Sequence, residues 1–165
     1  MAARFPAILS VALALGACGK SQDGALGVAV MGDSPALKER GVRLSPQAQL
    51  VRAATTEGLV GFDEQGRVVP ALADRWIVTD NGQSYIFRLR DGTWPDGKRI
   101  SADAAATALR KAIAALKGTA LGLDLAAIDE VRVMADRVIE IDLVAPVPEL
   151  LTLLAQPELG LHYDG

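Results

Sequence analysis

The sequence predicts a mixed α/β (α+β) domain, and two observations carry that prediction. Short runs that alternate apolar and polar residues come in pairs, joined at turn-forming residues, as the strands of hairpins do. Between two such pairs stands one long alanine-rich stretch with apolar residues at helical spacing and a serine just ahead of it. The chain has 165 residues, half of them hydrophobic, which suffices for one domain with one modest core.

The first element lies outside that core. Arg4 gives a short positive start, and residues 5–17 (FPAILSVALALGA) form an apolar run. The run is short of the ~20 residues that a spanning helix needs, and it fits a signal peptide over residues 1–17. Its end, Leu15-Gly16-Ala17-Cys18, resembles the lipobox of bacterial lipoproteins. That resemblance implies lipidation of Cys18, cleavage before it and a membrane anchor built from more than one acyl chain. The alternative for Cys18 is a small buried hydrophobe. Residues 18–24 then predict a polar, flexible tether, and residues 25–165 a partial globular domain. Gly19 is not an aspartate, so no retention signal of that type follows the cysteine.

Residues 25–31 (ALGVAVM) predict a buried strand, and residues 32–46 a loop. Residues 47–56 predict a helix, with Ser45 as N-cap and Pro46 at its first position. A small hairpin is expected from residues 58–62 and 67–70, turning at Asp63-Glu64-Gln65-Gly66. Residues 71–74 read as a short helical step. Residues 76–79 and 84–90 predict two strands joined around Asn81-Gly82, because both residues tolerate positive φ. Tyr85, Phe87 and Leu89 share one face, predicted core; Ile86, Arg88 and Arg90 share the other, predicted mostly wet. Ser101 should cap a helix over residues 102–117, with Ala105, Leu109, Ala112, Ile113 and Leu116 as its apolar stripe and Gly118 ending it. Residues 128–134 and 137–144 predict a second hairpin around Ala135-Asp136, and residues 147–155 a last helix. Residues 156–165 show no further element.

Composition and residue inventory exclude several functions. Net charge is −3 with no concentrated basic block, so no nucleic-acid partner is expected. One cysteine forbids an intrachain disulfide, and Cys18 with His162 falls short of the four ligands of a structural zinc site. No cofactor and no metal are expected. A catalytic triad needs a rigidly held histidine, and the single one, His162, stands three residues from the last. The carboxylate pairs Asp63-Glu64 and Asp129-Glu130 are adjacent in sequence and read as turn residues that do not converge; Asp33 and Asp96 lack an identifiable partner. No phosphate-binding loop of the Walker type is present, and the chain is not expected to be an enzyme.

Residues 56–103 carry a more specific pattern. It consists of Glu57-Gly58-Leu59, Pro70-Ala71-Leu72-Ala73, Trp76, Asp80 with Gly82, Tyr85, Phe87, Leu89-Arg90, Gly92, Trp94, Asp96-Gly97, Ala102 and Asp103. In this order and spacing it resembles the oligopeptide-, dipeptide- and nickel-binding proteins of ABC importers, and residues 128–154 continue the resemblance. The similarity runs from about residue 25 to 161 and covers only the start of a family member.

That resemblance implies the N-terminal part of a two-lobed, type II periplasmic-binding-protein-like fold of the peptide-binding cluster, mostly its small accessory domain. It implies an extracytoplasmic, lipid-anchored protein that captures a peptide or other small solute by hinge closure and delivers it to a permease and ATPase complex. Within this chain it implies that the segment leading into the first helix, Leu44, Ser45 and Gln47, approaches the ligand; a simple helix cap explains the same residues. Trp76, Tyr85, Phe87 and Trp94 are read as packing rather than ligand stacking, and Gly58, Gly66, Gly82, Gly92 and Gly97 as turn residues needing unusual φ. Arg88, Arg90 and Arg99 stand either as an anion site or as a solvated face. Two rival roles remain beside transport: a shortened envelope lipoprotein with a structural or contact role, and an inactive truncated remnant.

Overall fold

The computed structural model describes residues 44–94 and 97–161. The leader with Cys18, the tether, the strand expected over residues 25–31, Asp33, Asp96 and His162 lie outside the described residues.

The chain opens on helix α1 (Pro46–Thr55), followed by the hairpin β1 (Val60–Phe62) and β2 (Val68–Pro70). A four-stranded antiparallel sheet comes next, built from β3 (Ala73–Thr79), β4 (Ser84–Leu89), β5 (Ile128–Ala135) and β6 (Val138–Leu143) in the order β3-β4-β6-β5. Between β4 and β5 run α2 (Ala102–Ala115) and the short α3 (Ala120–Asp124). Helix α4 (Leu150–Leu154) and a 3₁₀ turn over Pro157–Leu159 close the described chain.

Local chemistry sets these boundaries. Ser45 sits in extended backbone ahead of α1, and its Oγ accepts the Ala48 N–H at 3.2 Å, with proline in the first turn. Between β3 and β4, Asp80, Asn81 and Gly82 all take positive φ (51°, 56° and 91°), the conformation that Asn-Gly favours and most other side chains resist. Ser101 caps α2 through the Ala104 N–H. The start of α2 is also tied to the β5–β6 turn, where Ala102 N donates to the Asp136 carbonyl at 2.8 Å.

Alternation along the strands gives the sheet one dry face. Tyr85, Phe87 and Leu89 of β4 meet Ile139, Ile141 and Leu143 of β6 and Val131 of β5, all buried. The cover is α2, through Ala102, Ala105, Ala106 and Leu109, with Leu116, Leu125, Leu150, Leu154 and Leu159 completing one cluster. Alanines on the buried stripe let the helix axis approach the sheet closely. Arg110 of α2 reaches the edge strand β5 and donates through Nε to the Val131 carbonyl at 3.0 Å, covering part of an edge that would otherwise be open.

Several sequence expectations need correction. Residues 71–74 are not a helical step: Ala73 already begins β3, and Leu72 and Ala73 bond back to the Gly58 and Leu59 carbonyls. The bulge between Ala73 and Arg75 broke the alternation that marks a strand. The last helix begins at Leu150 rather than 147, because residues 146–149 hold two prolines and make a turn. Residues 156–161 are ordered into the 3₁₀ turn and an antiparallel bridge from Leu161 to Glu57. Asp129 and Glu130 lie in β5, not at a turn. Gly58 and Gly92 do not take positive φ; their small size serves close packing instead. Helix α3, which the sequence reading did not anticipate, is capped by Thr119 Oγ1 on the Gly122 N–H.

Candidate functional site

The residues expected to approach a ligand sit at the start of α1. Leu44, Ser45 and Gln47 are each half-buried. Ser45 Oγ is engaged as the cap of the helix, and its carbonyl accepts the Gln49 N–H at 2.9 Å. Helix α1 buries little of itself within the described chain: Ala48 is its buried residue, and Leu50 is 65% exposed.

The chain passes from α1 into the sheet module, and returns from it, through one narrow gateway. Thr56 follows α1 directly, its N–H and Oγ1 both bonded to the Arg52 carbonyl. Next to it, Glu57 bridges to Leu161, whose N–H donates to the Glu57 carbonyl at 3.1 Å. A Cβ on Gly58 would stand 2.8 Å from the Val60 carbonyl oxygen and 3.3 Å from that of Leu154, so a glycine is needed there. Gly160 faces Thr56 in the same way. Across the gateway lies Arg90, just past the end of β4, whose guanidinium donates to Glu57 Oε2 at 2.7 Å.

A shallow cleft of about 390 Å³ opens beside the module. Leu116, Leu121 and Leu153 give it apolar walls, and Thr119, Asp124 and Glu158 stand at its polar side. On the far side, the outer face of the sheet carries a charged lattice. Arg132 of β5 bonds Glu140 at 2.8 Å and Asp142 at 2.6 Å on β6, with Glu130 at 3.5 Å. Ser84 of β4 donates its hydroxyl to the other oxygen of Glu140 at 2.8 Å. The Arg132 guanidinium and then the Ser84 hydroxyl hold the Glu140 carboxyl below its ordinary range, and the carboxylates in turn hold Arg132 above its own. Burial, then the nearby Glu149, push the Tyr85 phenol up; its hydroxyl donates to the Val147 carbonyl.

The three arginines singled out in the sequence have different surroundings. Arg88 lies on the outer face opposite Arg75 and Val138, Arg90 is paired with Glu57, and Arg99 is exposed in a bridge to Thr93. Tyr85, Phe87 and Trp94 are buried and Trp76 half-buried, packing 6.4 Å from Phe87. Among the described residues no group of three or more histidines, cysteines, aspartates or glutamates is arranged to hold a metal ion, and no helix is long and apolar enough to cross a membrane.

Sequence reasoning missed two of these arrangements. The Glu57–Arg90 pair joins residues 33 apart, and nothing local announces it. The Arg132–Glu140 pair was within reach, since a hairpin turning around Ala135-Asp136 sets those two residues opposite each other.

Residues 67–164 match the model of the bacterial extracellular solute-binding proteins, family 5, middle region. The chain belongs to that family. It is a family of binding proteins rather than enzymes. The chain is 34% identical over 125 residues to a probable deoxycholate-binding periplasmic protein of Escherichia coli (strain K12), covering 62% of this chain and 23% of the relative. It is 40% identical over 58 residues to the periplasmic murein peptide-binding protein of the same organism, covering 34% of this chain and 10% of that one. Its fold matches a solved periplasmic oligopeptide-binding protein of Borrelia burgdorferi with a TM-score of 0.64 at 22% identity, covering 76% of this chain and 28% of the other. The architecture is thus part of a type II periplasmic binding protein of the peptide- and nickel-binding cluster, and the chain spans a small share of the length of the relatives it matches.

Proposed function

We propose that this chain is the N-terminal portion of the solute-binding component of an ABC importer, working in the periplasm, with peptides as the broadest class of solute. The observation that carries this reading is the family match over residues 67–164, laid on a module whose entry and exit sit side by side. Binding of this kind requires no catalytic group; a solute that favours the closed state over the open one drives the change. In this reading residues 25–165 are a partial binding domain, and Leu44, Ser45 and Gln47 at the start of α1 reach toward the solute from the first lobe. The weakly buried surface of α1 supports the placement, because Leu50 is left for a neighbour that the described residues do not supply. The permease and ATPase complex is the partner that receives the loaded protein.

The same proposal includes a lipid anchor. Residues 1–17 act as the signal peptide and Cys18 as the lipidated residue, on the strength of Leu15-Gly16-Ala17-Cys18. Cys18→Ser should release the protein from membranes on fractionation; retention in the membrane fraction would show that the anchor is wrong. The transport reading is tested by isothermal titration of a peptide pool into the purified mature chain and into the same chain extended by whatever open frame follows Gly165. The extended chain is expected to release heat with saturation. No binding by an extended, folded chain, or a stop codon directly after Gly165 with no permease gene nearby, would overturn it.

A further inference from the structure

We propose that Glu57, Arg90 and Gly92 form a clasp that holds helix α1 to the sheet module, and that the glycine is there to leave the arginine its place. The inference stands on geometry alone and does not depend on the transport reading. Two short sequence patterns, Glu57-Gly58-Leu59 and Leu89-Arg90 with Gly92, meet in this one contact.

The mechanical argument starts at α1. The helix is held to the module at its C-terminal end, where Thr56 packs on Gly160 and Glu57 bridges to Leu161. Glu57, directly after Thr56, adds a charged side chain to the contacts that Ala48 and Thr56 already make. Arg90 is a suitable anchor for it, because its own backbone is fixed: Arg90 N donates to the Leu72 carbonyl at 2.9 Å, one residue beyond β4. Its guanidinium turns toward Glu57 and passes over Gly92, where a Cβ would meet Nη1 at 2.7 Å. Gly92 does not take a positive φ, so a larger residue there is opposed by the arginine and not by the backbone. The side chain of Ile100, with Cδ1 3.2 Å from the same position, has freedom to shift, whereas the guanidinium is tied to Glu57.

Both partners are about two-fifths exposed, 40% for Arg90 and 41% for Glu57. A pair of that kind is weak, so the clasp sets the helix's position and does not hold the fold together. The expected consequence is local: loss of the pair should speed hydrogen exchange in α1 and at the Leu161 amide by about threefold, the scale of one exposed ion pair, without touching β4 and β6.

Hydrogen exchange read by mass spectrometry on the whole chain tests this. Arg90→Ala should raise exchange at Gln49, Thr56 and Leu161 while the sheet amides keep their rates; Arg90→Lys, which retains one charged donor, should stay near the parent. Gly92→Ala should reproduce Arg90→Ala, and in the double variant it should add nothing. Raising salt should speed α1 exchange in the parent and leave Arg90→Ala unchanged. If Arg90→Ala does not fold, Glu57→Gln carries the same comparison. An α1 that exchanges as before in Arg90→Ala, a rise shared by the whole sheet, or a Gly92→Ala effect that persists without Arg90 would each overturn the clasp.

Discussion

Glu140 is buried on the outer face of the sheet, opposite the face that α2 covers, with 8% of its surface exposed. It keeps its charge there because Arg132 and Ser84 each donate to one of its carboxylate oxygens, and Glu130 and Asp142 share the arginine. The folded carboxyl lies below its ordinary value of 4.5, so in the folded state it binds its proton less readily than in the unfolded chain. Its contribution to stability is therefore complete above that ordinary value and is lost as pH falls below it toward the folded value. Glu140→Gln should lower stability by about 1 kcal/mol at neutral pH, the scale of losing charged hydrogen bonds at a buried position. The gap between parent and variant should close as pH falls below the folded value. Urea unfolding across that acid range measures it, and a gap that widened on acidification would show that Glu140 is not ionised in the fold.

At the scale of elements, the sheet is held against α2 by the apolar stripe, but the helix's starting point is set by a few polar bonds. Ser101 supplies one, accepting the Ala104 N–H, and the Asp136 carbonyl supplies another to Ala102 N. Ser101→Ala should cost about 1 kcal/mol and a few degrees in thermal unfolding, and Ser101→Asp should recover it, since a carboxylate also suits the positive end of the helix. If the alanine variant melts with the parent, the Asp136 bond alone sets the start. Elements of this kind were legible in the sequence: Ser45 with Pro46, Ser101, Asn81-Gly82 and the alternation of Tyr85, Phe87 and Leu89 each act within a few residues. In two places legibility failed because a distant residue had decided the outcome. Ala73 became a strand residue because Leu72 and Ala73 bond back to the β1 end of the chain, and Leu161 was ordered because Glu57 stood waiting to pair with it. Leu44, Ser45 and Gln47 were legible as a helix start; the contacts that would make them a ligand site belong to no local signal.

For the whole molecule, the decisive fact is where the chain enters and leaves. Glu57 and Leu161 are bridged, so among the described residues the apolar cluster that runs from Leu59 to Leu161 is bounded by two paired segments of chain. Both tryptophans, Trp76 and Trp94, and the whole sheet with α2 lie inside that span. Paired ends are a feature of many independently folding units, and a span of this size with one apolar cluster among the described residues is large enough to be stable alone. Residues 56–161 expressed by themselves should therefore unfold in one cooperative transition, with near-ultraviolet circular dichroism from the buried aromatic residues lost at the same urea concentration as the far-ultraviolet signal. The edge strand β3 is the risk in such a fragment, because among the described residues it has a partner strand on one side only and Ile77 and Val78 are exposed on it. Replacing Ile77 with lysine should then reduce association without changing the midpoint. If the fragment instead loses its near-ultraviolet signal while keeping secondary structure, the module depends on α1 and the residues before it, and its closed ends are a consequence of the larger fold rather than its cause.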